Sequence, residues 1–138
     1  MTTGTAARID RGNLADHLRT LGYEPTPIAS DTWRAHLKAA GRTFPLLVRT
    51  HEGYVTFAIV PLLKTPEDGV HAAKLYNELL RLNHVLMFAK FSIDDDLDIV
   101  LSVEYPLGQL DPSEVADALS ALGHYADQHF TALTQNLA

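Results

Sequence analysis

The sequence predicts an α+β fold in which one domain builds an antiparallel sheet and packs helices against it. The chain has 138 residues, which is the size of one ordinary domain. Its apolar residues recur with a helical period in three segments and with a strand period in five. Tight turns join the strand segments, which is typical of antiparallel hairpins. The predicted order is α-β-β-β-α-β-β-α in a single domain over residues 1–138, with residues 1–8 a flexible N-terminus.

The first helix is predicted over residues 9–21. Asp10 is a plausible N-cap, and Gly22 stands where a left-handed C-terminal cap is wanted. Its apolar positions are Leu14, Leu18 and Leu21. Residues 23–28 contain two prolines, which restrict the residues before them, so we expect a linker there.

A three-stranded meander is predicted over residues 32–60, where the apolar period changes from 3.6 to 2. Turns are expected at Gly41-Arg42 and at His51-Glu52, the latter followed by Gly53. The proposed registers pair Ala39 with Phe44 and Arg49 with Tyr54. These registers place one set of apolar residues on a single face: Trp33, Ala35, Leu37, Phe44, Leu46, Val48, Val55, Phe57 and Ile59.

A second helix is predicted over residues 67–84, followed by a hairpin with strands at 86–93 and 97–105. The expected loop is Asp94-Asp95-Asp96, and the proposed register pairs Ile93 with Leu97. The predicted inward side chains of this hairpin are Met87, Ala89, Phe91, Ile93, Leu97, Ile99, Leu101 and Val103.

The last helix has the clearest start signal in the chain. Asp111 is an acidic N-cap, Pro112 occupies the first helical position, and Glu114 follows three residues after the cap. The helix is predicted to run to about Gln135. Its inward residues are Val115, Leu119, Leu122, Ala126, Phe130 and Leu133.

Composition excludes several classes of site. Apolar residues make up 46% of the chain and charged residues 20%, which is typical of a folded domain. The chain has no cysteine, which excludes disulfides, thiol catalysis, zinc–thiolate sites and iron–sulfur clusters. The sequence shows neither the apolar core of a signal peptide nor a run of membrane-spanning length, so we expect a cytoplasmic protein with no membrane contact.

Charge is distributed unevenly along the chain. All 11 Lys and Arg residues lie within residues 1–90, whereas residues 91–138 carry nine acids and no Lys or Arg. A direct nucleic-acid contact of the C-terminal third is not expected, because no cation is available there to displace counterions. The asymmetry favours a basic protein partner, which could include a nucleic-acid-binding protein, or charge complementarity within an oligomer, although an acidic surface can also serve solubility alone.

No constellation of residues predicts catalysis, a metal or a cofactor. Asp94, Asp96 and Asp98 have calcium-loop spacing, but the required glycine and closing glutamate are replaced by Ile99 and Tyr105. His124 and His129 are five residues apart and miss the spacing of a helical metal pair. The chain has no phosphate-binding glycine loop and no G-x-S-x-G nucleophile turn. We therefore expect a protein that is not an enzyme and holds no cofactor.

A candidate protein-binding surface lies on the sheet face opposite the predicted core. Apolar area outside a core commonly marks an interface or a ligand groove. The residues predicted there are Leu47, Tyr54, Thr56, Ala58 and Val60 from the meander, with Phe88 and Val100 from the second hairpin. The hypothesis is that this face mediates self-association or binds an extended segment of a partner. The alternative is that one of the helices covers it.

The sequence resembles the YbjN domain family, whose fold is similar to that of type III secretion chaperones. The resemblance lies in the element order, in Trp33 followed by alternating strands, and in local blocks. These blocks are Leu75–Asn83, Phe88–Asp94, Leu101–Leu107 and His124–Asp127. The resemblance implies a small bacterial protein that acts without catalysis, commonly as a homodimer, by binding another protein. It implies a chaperone-like or regulatory role, and the chain offers no secretion context of its own.

A second class of function stays open. A small-molecule sensing module could use a pocket between sheet and helices lined by Trp33, Phe57 and Tyr76, although the same aromatic residues also suit a plain core.

Overall fold

The computed structural model describes residues 8–135 and contains a six-stranded antiparallel sheet with three helices. The elements in chain order are α1 (Leu14–Thr20), β1 (Thr26–Ala29), β2 (Thr32–Ala39), β3 (Arg42–His51), β4 (Tyr54–Lys64), α2 (Gly69–Val85), β5 (Lys90–Ile93), β6 (Asp98–Pro106) and α3 (Pro112–Gln135). The strands lie side by side in the order β1-β2-β3-β4-β6-β5. The predicted α+β fold class is confirmed. Of the N-terminus predicted to be flexible, residues 1–7 lie outside the described residues, and Arg8 donates a hydrogen bond to the carbonyl of Gly108 at 2.7 Å.

The segment expected to be a linker contains strand β1. It pairs with β2 at the edge of the sheet, where Pro27 lies opposite Trp33. An edge strand tolerates proline because one of its sides needs no backbone donor. The proline signal therefore excluded a helix correctly, but residues 26–28 of the expected linker are part of the first strand of the sheet.

Helix α1 is shorter than predicted. The Asp10 side chain accepts from the backbone N–H of Asn13 at 3.0 Å, and the Asn13 side chain accepts from the N–H of Asp10 at 2.8 Å. This reciprocal pair closes a turn in front of the helix, so the helix begins at Leu14 and Asp10 is not its N-cap. Gly22 has φ +95°, as expected for the left-handed end of the helix.

The meander is confirmed, with both registers shifted by two residues. Its turns are Ala40-Gly41 and Glu52-Gly53, in which all four residues have positive φ, as two-residue hairpin turns require. Ala39 consequently pairs with Arg42, and His51 pairs with Tyr54. A shift of two residues keeps every side chain on its face. The predicted inner residues from Trp33 to Ile59 are therefore all buried.

The second hairpin differs more from its prediction. β5 begins only at Lys90, and Ile93 pairs with Ile99, so Leu97 belongs to the turn with φ +62°. Leu97 is 57% exposed and Met87 is 74% exposed, so their predicted inward positions were wrong. Ile93, at the edge of the sheet, is 42% exposed. The cause is the position of the turn. The run of aspartates had suggested a turn at residues 94–96, whereas the three-residue turn lies one position later and ends at the left-handed Leu97.

The capping box of α3 is present as predicted. The Asp111 carboxylate accepts from the N–H of Glu114 at 2.9 Å, and the Glu114 carboxylate accepts from the N–H of Asp111 at 3.1 Å. The predicted inward residues of α3, from Val115 to Leu133, are all buried. This helix packs on β2, β4 and β6.

One core joins the sheet to the three helices. It contains the inner face of the sheet, which we define by the buried residues of β2, β3, β4, β5 and β6 that point to the helices, together with side chains such as Leu14, Leu75 and Leu122. No residue of the opposite sheet face belongs to this core in the described part of the chain, apart from the irregular stretch of β4 after Ile59. The helices therefore occupy one side of the sheet and leave the other side open.

Candidate protein-binding surfaces

The outer face of the sheet has an apolar centre. One cross-strand row runs Arg34, Leu47, Ala58, Ser102 and Lys90 over five adjacent strands. Ala58 is only 3% exposed, although it is not part of the core. The hydrophobic centre thus stands between a cation at each end of the row.

The structure brings six of the seven predicted site residues to this outer face. Leu47, Thr56 and Ala58 follow from the strand registers, as does Val100, which pairs with Ser92. Val60 follows Ala58 on the same face at the point where the register of β4 shifts, and it is half-buried. Tyr54 lies at the end of β4 and is 52% exposed.

Phe88 does not lie on the outer face, so its predicted placement was wrong. It precedes β5, has φ +77°, and packs edge-to-face on Tyr105 with a ring separation of 5.3 Å. Tyr105 shares the inner face with Val103, so Phe88 lies on the helix side. The apolar alternation predicted a strand through Phe88. It could not show that Phe88 itself has a left-handed backbone and that the strand begins only after it.

Polar residues border the apolar centre. Thr56 donates to the Glu104 carboxylate at 3.1 Å, and Lys90 donates to the other oxygen of Glu104 at 2.8 Å. The bond from Lys90 is the main cause that lowers the pKa of Glu104, so this carboxylate is ionised at neutral pH. With Arg34 and Arg49 on neighbouring strands, the outer face carries more cations than anions along this border. It is therefore not the acidic surface that a basic partner would select.

A second apolar surface lies at the edge formed by α2 and β5. Two exposed large apolar side chains lie there, Leu80 at 70% exposure and Ile93 at 42%. Leu80 and Ile93 line one groove of about 280 Å³ with Tyr76 and Phe91. The sequence carries no signal for this edge, because Leu80 and Ile93 look like ordinary positions of an amphipathic helix and a strand.

The Asn83 side chain satisfies backbone hydrogen-bonding groups at that edge. Its side chain donates to the carbonyl of Phe91 at 3.0 Å and accepts from the N–H of Phe91 at 2.7 Å. Both polar groups of Phe91 are thus satisfied on the side of β5 that faces away from β6. The edge consequently offers apolar side chains and little free backbone to a partner.

The aspartates at the tip of the β5–β6 hairpin have a structural role. Asp94, Asp96 and Asp98 place carboxylate oxygens within 4.8 Å of one another. The Asp94 side chain accepts from the N–H groups of Asp96 at 2.9 Å and Asp98 at 3.0 Å, and Lys64 pairs with Asp98 at 2.7 Å. These bonds account for the cluster as turn geometry.

The aromatic residues suggested for a small-molecule pocket do not form one together. Phe57 is completely buried and Trp33 is 9% exposed, and both fill the core. Tyr76 lies at the α2–β5 edge, where its hydroxyl is 2.9 Å from that of Thr65.

None of the helices within residues 8–135 combines the length and the hydrophobicity that a membrane span requires.

The chain belongs to the YbjN family, described as putative bacterial sensory transduction regulators, because the family model matches residues 10–135. The search of curated proteins found no match.

Several solved structures share the fold at low sequence identity. The chain is similar to one in the heterodimeric ExoU–SpcU complex of the Pseudomonas aeruginosa type III secretion system, with 23% identity, a TM-score of 0.59, and coverage of 90% of this chain and 97% of that chain. It is similar to YbjN of E. coli, a putative transcription regulator, with 11% identity, a TM-score of 0.63 and coverage of 90% and 93%. A third match lies in the complex of the Yersinia pestis type III secretion chaperone SycH with a YscM2 fragment, with 15% identity, a TM-score of 0.53 and coverage of 86% and 97%. The fold is therefore that of YbjN and the type III secretion chaperones.

Proposed function

We propose that this chain is a non-catalytic, cytoplasmic protein-binding module, chaperone-like or regulatory, that forms a homodimer and docks a partner protein on the outer face of its sheet. The observation that carries the proposal is the set of apolar side chains that remain accessible on the outer face: Leu47, Val60 and Val100 are half-buried, Tyr54 is 52% exposed, and none of them belongs to the core beneath the helices. Leaving such a surface open is costly in water, and docking of a partner removes that cost.

The shape of the outer face suits an extended segment better than a small ligand. The described row spans five strands, so a segment crossing it meets apolar side chains at the centre and hydrogen-bonding groups at both borders. Solved relatives with this fold support protein binding as the class of function, since several are described as complexes with a second protein.

Site-specific photo-crosslinking tests the docking face. A benzoylphenylalanine at position 47 should capture one discrete partner in cells of the source organism, whereas the same group at Val70, which is 76% exposed on α2, should not. With the captured partner purified, Leu47→Lys should weaken binding about tenfold or more, since it removes an apolar contact and buries a charge. Val70→Lys is the matched control. Equal capture from both positions, or unchanged affinity of Leu47→Lys, would refute this docking face.

The proposed homodimer uses the α2–β5 edge. Leu80 is 70% exposed and Ile93 is 42% exposed at this edge, and the groove that they line is mostly apolar. Two copies meeting at this edge would leave the outer face of each sheet free for the partner.

A further inference from the structure

An aromatic groove lies on the helix side of the molecule, away from the outer face. It has a volume of about 520 Å³ and runs between the loop after α2, the end of β6 and the exposed side of α3. Its lining includes Met87, Phe88, Tyr105, Asp117, His124 and Tyr125. Three aromatic rings thus contribute to one open groove.

The walls of the groove are held in place. The Tyr125 hydroxyl donates to the carbonyl of Met87 at 2.9 Å and accepts from the N–H of the same residue at 3.2 Å. This pair ties the loop to α3, and the loop then presents Met87 at 74% exposure and Phe88 at 49% exposure. Phe88 packs on Tyr105 and still keeps about half of its surface in solvent, so part of its ring is available to a ligand.

The groove carries a carboxylate without a paired cation. Its lining contains no Lys or Arg, its charged or ionisable residues besides the tyrosines are Asp117 and His124, and Asp117 forms no salt bridge within the described residues. Burial raises the pKa of Tyr105 to about 12, and the nearby carboxylates of Glu114, Asp117 and Asp111 add to the shift. Three acids therefore act on this aromatic ring, and no Lys or Arg of the lining offsets them.

We propose that this groove receives an arginine side chain of a protein partner. Aromatic faces attract a guanidinium group, a carboxylate at the rim pairs with it, and the exposed methionine and phenylalanine contact its apolar neighbours. Charge complementarity selects arginine over acidic or neutral side chains. The proposal gives the acidic residues of the C-terminal third a binding role at this groove. The outer face cannot have that role, because cations border it.

The inference rests on the proposed function only in taking the ligand to be part of a protein. The groove and the outer face lie on opposite sides of the sheet, so variants at Leu47 test one surface and variants at Asp117 test the other. If the tests contradict binding at one surface, the proposal for the other surface is unaffected.

The test is an amide-shift NMR titration of the full chain with an acetylated Gly-Leu-Arg-Leu-Gly amide and with the same peptide carrying neutral citrulline. The arginine peptide should shift the amides of the groove and bind about fivefold more tightly than the citrulline peptide. Asp117→Asn should reduce that preference, while Asp95→Asn, the same charge change at the hairpin tip, should not. Phe88→Ala should weaken binding, with Ile28→Ala as a control of equal exposure, since both residues are 49% exposed.

Three outcomes would overturn the proposal. Equal affinity for the arginine and citrulline peptides would show that the charge of the side chain does not contribute to binding. Equal effects of Asp117→Asn and Asp95→Asn would show that binding depends only on the net charge of the protein. Groove amides that shift on simple dilution of the protein would identify a second copy of the chain as the occupant.

Discussion

Three carboxylates stabilise the fold through hydrogen bonds to their ionised forms. The pKa of Asp68 is lowered chiefly by its bond with the His71 side chain, and that of Asp111 chiefly by the Ser113 hydroxyl and then by the N–H of Glu114. Glu104 is held similarly by Lys90. Asp68 and Asp111 also cap α2 and α3, so these residues link helix starts to the protonation state of the protein.

Acid should therefore destabilise the protein, and Asp111→Asn should reduce that effect. A group whose pKa is lower in the folded state contributes stability above its unfolded pKa and loses it as the pH falls through its folded pKa. The ordinary pKa of an aspartate is 3.8, so the loss should be concentrated below about pH 4. Urea midpoints measured from about pH 6 to about pH 3 should fall less steeply for Asp111→Asn than for the wild type.

Asp95→Asn provides the control for this pH series. Asp95 is exposed and makes no side-chain hydrogen bond in the described part of the chain, so its variant should follow the wild-type curve. Parallel curves for wild type and Asp111→Asn would show that the cap does not contribute to acid sensitivity.

At the scale of elements, Asn83 of α2 protects the free edge of β5. Asn83→Ala removes both bonds to the backbone of Phe91 and leaves an N–H and a carbonyl unpaired at the sheet edge. We expect a loss of about 1–2 kcal/mol in the free energy of unfolding, measured in urea. We also expect association beyond the proposed dimer of the wild type, measured by analytical ultracentrifugation, since an open edge templates strand pairing.

Asn77→Ala is the matched variant on the same helix. Asn77 is exposed and makes no side-chain hydrogen bond within the described residues. It should remain close to the wild type in both measurements. If Asn83→Ala matched it in both, the edge would not depend on the asparagine.

At the scale of the whole molecule, the α2–β5 edge should determine the oligomeric state. Leu80→Glu should convert a dimer to a monomer, because it places a charge where Leu80 and Ile93 would be buried between copies. The side chain is 70% exposed in the single chain, so the substitution should leave the fold intact. Light scattering coupled to size-exclusion chromatography measures the mass, and circular dichroism checks the fold.

Val70→Glu makes the same change on α2 at a residue that is 76% exposed, and it should remain dimeric. A wild-type protein that is monomeric at high concentration would contradict the proposed dimer. Loss of the dimer in both variants would place the contact elsewhere.

The positions of the acidic residues in space also belong to this scale. In the sequence they are concentrated in the C-terminal third, but the structure places them at separate sites, including the hairpin tip, the Glu104 border of the outer face and the first turn of α3. The charge asymmetry of the sequence is thus divided among several local surfaces with different roles.

Local signals in the sequence were sufficient for most of the fold. The strand period placed every inner residue of the meander correctly although both registers were shifted by two, because the side-chain period of a strand is two. The capping box of Asp111 and Glu114 defined the start of α3 because its hydrogen bonds join residues three apart. The family resemblance was also carried by such local blocks, and the family model confirms it.

Only the tertiary structure decided which surfaces remain open. The side of the sheet that the helices cover, the position of Phe88 beside Tyr105 and the closure of β5 by Asn83 depend on contacts between distant segments. No period or motif encodes such contacts, because each depends on where the chain turns between elements. Individual residues of the candidate site on the outer face could therefore be predicted from the sequence. The aromatic groove and the α2–β5 edge could be identified only in the folded structure.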